Sequence, residues 1–413
     1  VSEESDYDGA GGEMMTNEME KMKVVEGSQA IAYAVKACKP HVVSAYPITP
    51  QTHIVEELSK LVANGEIKCE YINVESEFSA ISMLIGASAT GARTFTSTTS
   101  QGLALMHEAL FNASGMRLPI VMVTVNRALS APINIWNDQQ DSIAERDAGW
   151  IQFYAEDIQE ASDMLAQAYR VAEDRDVLLP AMVCIDGFIL SHTYEPVILL
   201  EEDITEEYLP SYDPPYRLDP TNPKSFGTLG TPDVYMEARY MQEKAMETAL
   251  DKIKEAAIDF KRMYGRWHGD LVDTYRVDDA DIILISMGSV VGTMKEAVDR
   301  ARDEGVKVGI VKLRVFRPFP KKELVDTLKN AKVVAVIEKD VCVGKYEGAL
   351  TTELKAVLYS YGMGVPVLGR IAGLGGRDIT LSHIMSVITD SEKVLEGKDV
   401  DENAYLGLRE EVL

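Results

Sequence analysis

Closely spaced cysteines are missing from this chain of 413 residues, and so is any excess of positive charge. Its four cysteines, Cys38, Cys69, Cys184 and Cys342, lie far apart in sequence. That spacing excludes a disulfide framework and the clustered thiolates that hold an iron–sulfur group. Four free thiols packed as small apolar groups are expected instead. With 66 acidic against 41 basic residues the formal charge is −25, which disfavours nucleic acid and anionic membranes as partners. An acidic electron carrier is likewise not expected to dock on the bulk of such a surface. No apolar run reaches the roughly 18 residues that span a bilayer. The opening VSEESDYDGAGGEMMTNEMEK lacks the basic start and apolar centre of a signal peptide, so a cytoplasmic location is expected. No GxxxxGK[ST] phosphate loop is present.

What is present is an α/β pattern. Hydrophobic residues make up 46% of the chain and charged residues 26%, the balance of a globular protein with more than one domain. Residues 1–21 read as a disordered acidic extension. From residue 22 short apolar strands alternate with helical stretches, which predicts a parallel sheet over residues 22–194. The run LPIVMVTVN suits a strand covered on both faces. Residues 195–270 hold a Pro-rich connector and a long helix from about 235 to 264. A second α/β unit is predicted over 271–392, followed by a C-terminal arm at 393–413.

Four segments carry candidate chemistry, each where a strand ends. In AYPITPQT (45–52) two prolines stiffen the backbone around Thr49 at a strand's carboxyl end, where ligands of open α/β sheets gather. Its hydroxyl can meet a small carboxylate or ketone, although a turn or helix-cap threonine reads equally well. In VESEFSAISMLIGASATG (74–91) Glu75 and Glu77 enter a helix, where the dipole alone accounts for acids. In TSTTSQGLALMHE (96–108) Ser100 and nearby N–H groups offer contacts to a cofactor, while His107 reads as a packing residue. In VNRALSAPINIWNDQQD (125–141) Arg127 directly follows the apolar strand. A carboxylate ligand, or Asp138 or Asp141 of its own loop, would satisfy its guanidinium. GLGGRD (373–378) reads as a tight turn with a local ion pair, and Gly288–Ser289 as a strand-to-helix turn.

The blocks YPITP, VESEFSAISMLIGA, TSTTSQGLALMHEALF and NRALSAPINIWNDQQDSIAERDAGWIQFYAE resemble the α subunits of pyruvate:ferredoxin oxidoreductases. The resemblance continues through LLPAMVCIDGFILSHT, LRVFRPFP and AGLGGRD, and spans about residues 22–410. It implies a pyrimidine-type thiamine-diphosphate domain followed by a transketolase C-terminal-like domain. It assigns Glu77, rather than Glu75, to N1′ of the cofactor's aminopyrimidine. It places Thr49 and Arg127 on the carboxylate of the 2-oxoacid, and Pro47 and Ile48 in the aminopyrimidine pocket. The diphosphate and Mg²⁺ of this family are held by a GDG segment that this chain lacks. Those anchors and the [4Fe-4S] clusters are therefore expected in partner subunits: β, γ and a ferredoxin-like δ. Coenzyme A serves the family as acetyl acceptor, and ferredoxin would dock on the cluster-bearing chains. The same architecture serves branched-chain 2-oxoacids. A non-oxidative thiamine enzyme and a non-catalytic assembly protein are the other readings to be tested.

Overall fold

The computed structural model describes residues 21–413, so the expected acidic extension lies almost wholly outside the described residues. Strand β1 (Met22–Glu26) opens the described chain. It is followed by β2 (Val42–Ala45), β3 (Glu70–Asn73), β4 (Thr94–Thr98), β5 (Val121–Asn126), β6 (Ile151–Tyr154) and β7 (Ala181–Asp186). Strand β8 (Tyr194–Ile198) then returns antiparallel to β1 as a two-stranded ribbon. Second-half strands are β9 (Val272–Tyr275), β10 (Ile282–Ser286), β11 (Val308–Leu313), β12 (Val315–Arg317), β13 (Val333–Glu338), β14 (Val367–Ile371) and β15 (Asn403–Tyr405).

The first large sheet runs β12-β6-β7-β5-β4-β2-β3, parallel throughout except that β12 pairs antiparallel with β6. Strands β5 and β7 are buried along their whole length because helices cover both faces. One face is closed by helices Gly27–Cys38, Ile158–Ala172 and part of Pro232–Tyr264. The other face carries helices Glu77–Ala89 and His107–Gly115. The second sheet runs β15-β14-β13-β10-β11-β9, with only β9 antiparallel. One of its faces shares an apolar layer with the first sheet, in which Leu84, Leu110 and Met122 join Ile285, Val311 and Val336. The two sheets therefore bury apolar surface against each other.

Several elements differ from the sequence expectation. Strand β6, in GWIQFYAE, is hidden in sequence by its neighbours and fills the gap between β7 and the intruding β12. Between Ser100 and Gly115 the chain forms two helices, Ser100–Leu105 and His107–Gly115, separated at Met106. The connector after residue 195 contains β8 and a short helix, Glu202–Tyr208. The long helix starts earlier than read, at Pro232, whose missing N–H costs nothing in a first turn. Within the expected C-terminal arm, helix Leu381–Leu395 runs past residue 392 and β15 pairs in parallel with β14. Tertiary pairing supplies partners to these short segments that their own pattern does not reveal. Among the described residues no helix is long and apolar enough to cross a membrane.

Candidate active site

Strands β2, β3, β4 and β5 end side by side, and the four segments leave from those ends. The bond from Val74 N–H to Ala45 carbonyl, 3.1 Å, brings the exits of β2 and β3 together. Pro47 and Thr49 then stand exposed at the rim, with Ile48 half-buried beside them.

Glu77 is the first residue of its helix, whose cap is Ser76, accepting from Ser79 N–H. The side chain is 7% exposed, yet no hydrogen bond reaches its carboxylate from the described residues. Glu75 is different: it is exposed, and its Oε1 accepts from Ser79 Oγ at 2.7 Å. That bond holds the Glu75 carboxyl below its ordinary value. Of the two acids, only Glu77 is buried and short of a donor.

Gly102 explains how a carboxylate fits there. A Cβ at Gly102 would lie 2.6 Å from Glu77 Oε1, 2.7 Å from Glu77 Cγ and 2.7 Å from Thr98 Oγ1. The Thr98 hydroxyl is itself buried without a partner. A shallow cradle thus holds an acceptor that needs an N–H donor, which suits the ring nitrogen of an aminopyrimidine.

Arg127 is 7% exposed, and no carboxylate among the described residues meets its guanidinium. Its Nε donates to the Asn134 carbonyl at 2.9 Å and its Nη1 to the Thr49 carbonyl at 2.8 Å. Nη2 reaches Gln101 Oε1 at 3.4 Å. Burial lowers its pKa, which expresses the cost of a cation held by neutral groups. The expectation that Asp138 or Asp141 pairs with it is not met. Asp141 instead accepts from main-chain N–H groups: Arg127 at 3.0 Å, Ser100 at 2.8 Å and Ser142 at 2.8 Å, together with the Asn126 side chain at 2.7 Å. Burial pushes the Asp141 carboxyl up to about 6 in spite of these donors. Asp138 accepts from Gln140 N–H and from Gly375 N–H, both at 3.1 Å, and burial pushes it up to about 7.

Ser100, for which a cofactor contact is expected, has its polar groups engaged within the chain. It is fully buried, with its N–H on Asp141 and its single hydroxyl proton shared between the Ala128 carbonyl and Gln101 Oε1, 2.5 and 2.6 Å away. Its φ of +49° is sparsely populated for a residue with a Cβ, and is held by these bonds. Ser100 therefore ties the helix that bears Gly102 and Gln101 to the Arg127 loop. Asp141 does the same through the main chain, a role the sequence did not reveal because it depends on a fold-back of 14 residues.

His107, read as a packing residue, sets its ring edge-on to Phe111 with centroids 5.2 Å apart. It stands exposed at the break between the two helices, its Nδ1 2.6 Å from Glu145 Oε2, rather than packing in a core. The GLGGRD turn holds no ion pair between Arg377 and Asp378; Arg377 donates to the Gly407 carbonyl. This turn locks onto the Arg127 loop through Asn134 Nδ2 donating to the Gly375 carbonyl, 3.0 Å, and through Asp138. Gly288–Ser289 is the turn expected, and it joins the sheets: Ser289 N–H donates to Asp186 Oδ2 at 2.8 Å, and Lys339 Nζ reaches the same oxygen at 2.7 Å. Against the upward push of burial, Lys339 draws the Asp186 carboxyl below its ordinary value.

The chain is similar to known proteins over most of its length. A family profile described as pyruvate flavodoxin/ferredoxin oxidoreductase, thiamine diphosphate-binding, matches residues 33–257. A second, the pyruvate:ferredoxin oxidoreductase core domain II, matches residues 280–384. Pyruvate synthase subunit PorA of Methanosarcina barkeri is 57% identical over 95% of this chain and 98% of its own. Ketoisovalerate oxidoreductase subunit VorA of Pyrococcus horikoshii is 48% identical over 92% of this chain and 96% of its own. Among solved structures, the 2-oxoglutarate:ferredoxin oxidoreductase of Magnetococcus marinus shares the fold. The TM-score is 0.71 at 20% identity, over 90% of this chain and 65% of that one. The chain belongs to the pyruvate:ferredoxin oxidoreductase family and carries its thiamine-diphosphate-binding domain.

Proposed function

We propose that this chain is the α subunit of a pyruvate:ferredoxin oxidoreductase. The complex would oxidatively decarboxylate pyruvate with coenzyme A to acetyl-CoA and CO₂, and pass two electrons to ferredoxin, reversibly. The observation that carries the reading is the pairing, at one sheet edge, of a buried donor-less carboxylate, Glu77, with a buried anion-less guanidinium, Arg127. The first suits a ring nitrogen and the second a substrate carboxylate.

Thiamine diphosphate, when bound, supplies the carbon nucleophile that attacks a 2-oxoacid and the electron sink that lets CO₂ leave. Glu77 accepts from N1′ of the aminopyrimidine and so stabilises the ring in its protonated form. Pro47 and Ile48 line that ring's pocket. Arg127 orients the incoming carboxylate, with the exposed Thr49 hydroxyl beside it, and this orientation matters more for entry and alignment than for charge developed later. Gln101 and the Asn134 and Thr49 carbonyls hold the guanidinium in place meanwhile.

This chain has no GDG segment and no cysteine pair. The diphosphate–Mg²⁺ anchor and the [4Fe-4S] clusters accordingly belong to partners, a β subunit and a ferredoxin-like δ subunit, with γ completing the assembly in the cytoplasm. The VorA relative motivates a second reading, a branched-chain 2-oxoacid as substrate.

The test is the assembled complex with Glu77→Gln, assayed for pyruvate- and coenzyme-A-dependent viologen reduction. An amide is a poorer partner for a protonated ring nitrogen, so turnover should fall about 100-fold or more at saturating cofactor. Near-normal turnover with cofactor bound would overturn the assignment. Running 2-oxoisovalerate beside pyruvate decides the substrate.

A further inference from the structure

At the start of the helix that follows Thr49–Pro50, three chain segments bring two imidazoles and a carboxylate together. Glu26 ends β1, His53 lies in the first turn of helix Thr52–Ala63, and His192 sits in the turn before β8. One ligand-capable atom from each lies within 4.8 Å of the others. We infer that Glu26, His53 and His192 form a binding site for a zinc-type divalent cation.

The donor set decides the class of ion. Two imidazoles and one carboxylate suit zinc, cobalt or nickel, whereas magnesium and calcium take oxygen ligands. Three protein ligands leave a position for water, and His53, 46% exposed, stands on the solvent side to admit one.

The surroundings are those of held ligands. His192 Nδ1 is bonded to Ser191 Oγ at 2.8 Å, which leaves Nε2 as the free nitrogen of that ring. Ser191 is fully buried and is fixed in turn by Phe188 N–H, 2.9 Å, while its carbonyl accepts from Ser28. Outer bonds of this kind set the orientation of metal-bound histidines. The Phe188 ring packs against His192 at a tilt of 46° with centroids 4.7 Å apart, and the His53 ring centroid lies 4.6 Å from that of His192. Glu26 also accepts from the main chain of the helix it caps, which fixes its carboxylate. Gly27 lets the turn approach: a Cβ there would lie 1.8 Å from the Leu190 carbonyl oxygen.

The fit asks for small adjustment. His53 Nδ1 and Glu26 Oε1 are 2.6 Å apart, a hydrogen bond. Ligand atoms about 2.0–2.2 Å from a tetrahedral ion stand roughly 3.3 Å from one another. Opening that contact and turning the two half-buried rings inward moves each atom by about 1 Å or less, within rotamer freedom. A bound ion would tie the β1–β8 ribbon to the helix that directly follows Thr49–Pro50.

The probe is Zn²⁺ alone, added to the assembled complex with its resident cofactors. Bound zinc is counted by mass spectrometry after desalting, for wild type, His53→Ala, His192→Ala and the double variant. Wild type should take up one more equivalent per chain than the double variant, and each single variant should bind at least about tenfold more weakly. Zinc should also raise the unfolding temperature of wild type and not that of the variants. Should His192→Ala fail to assemble, His53→Ala decides, because a half-exposed helix position tolerates alanine. Equal uptake by wild type and His53→Ala would overturn the proposal and leave a hydrogen-bonded His–Glu pair only.

Discussion

Gly102→Ala separates the site from the fold more sharply than deleting a catalytic group does. The new methyl would meet Glu77 Oε1, Glu77 Cγ and Thr98 Oγ1 at 2.6–2.7 Å. Ordinary van der Waals contact then requires one side to give by about 0.8 Å. Thr98 is buried in β4 and cannot retreat, so the Glu77 carboxylate is the mobile partner. Overpacking costs about 1–3 kcal/mol, and alanine's better helix propensity returns up to about 1 kcal/mol. Net stability should therefore fall by about 0–2 kcal/mol if the propensity gain is realised in full. Catalysis should suffer more, because a displacement approaching 1 Å costs on the order of 100-fold, or about 2.7 kcal/mol of barrier. The assay is viologen reduction by the assembled complex with saturating cofactor, read beside the unfolding temperature. A Gly102→Ala enzyme within about twofold of wild-type turnover would refute the claim that Glu77 works from this cradle. A large loss of stability with the same specific activity would point to packing alone.

The other predictions concern charge. Arg127→Met should raise KM for the 2-oxoacid by at least about tenfold with a smaller effect on kcat, because its contact serves orientation more than the later steps; an unchanged KM counts against the carboxylate clamp. Lys339→Met leaves Asp186 buried beside Asn137, Gln139 and Ser289 without its cation. Unfolding free energy should drop by about 3–5 kcal/mol, measured by denaturant titration, and a change under about 1 kcal/mol would contradict the pairing argument. Asp138 has a raised carboxyl in the folded chain, about 7 against 3.8 when unperturbed. The folded state then holds the proton more tightly, so this contribution is complete below about 3.8 and is lost as pH rises through about 7. Asp138→Asn should flatten the fall of unfolding temperature across that window; an unaltered slope would place the titration elsewhere.

The range of each interaction decides how much was legible in the sequence. Alternating apolar runs announced the parallel sheets, since strands covered on both faces must be apolar along their length. The four chemical segments could be placed at strand ends for the same reason. β6, β12 and β15 could not, because strands of three or four residues gain their definition from partners far away in sequence. Ser100 shows the limit within the site. Its hydroxyl-rich setting suggests a ligand contact, but the fold-back of the 127–141 loop consumes both of its polar groups.

Sequence by itself determined the family, the strand-end location of Glu77, Thr49 and Arg127, and the absence of a GDG segment and of closely spaced cysteines. Those are matters of residue type and local order. Tertiary structure alone decided that Glu77 and not Glu75 is the buried acid, and that the Arg127 guanidinium meets carbonyls rather than Asp138 or Asp141. It also brought Glu26, His53 and His192 together across 166 residues of chain. Burial and the pairing of charges depend on groups that pack from elsewhere, and no local pattern carries that information.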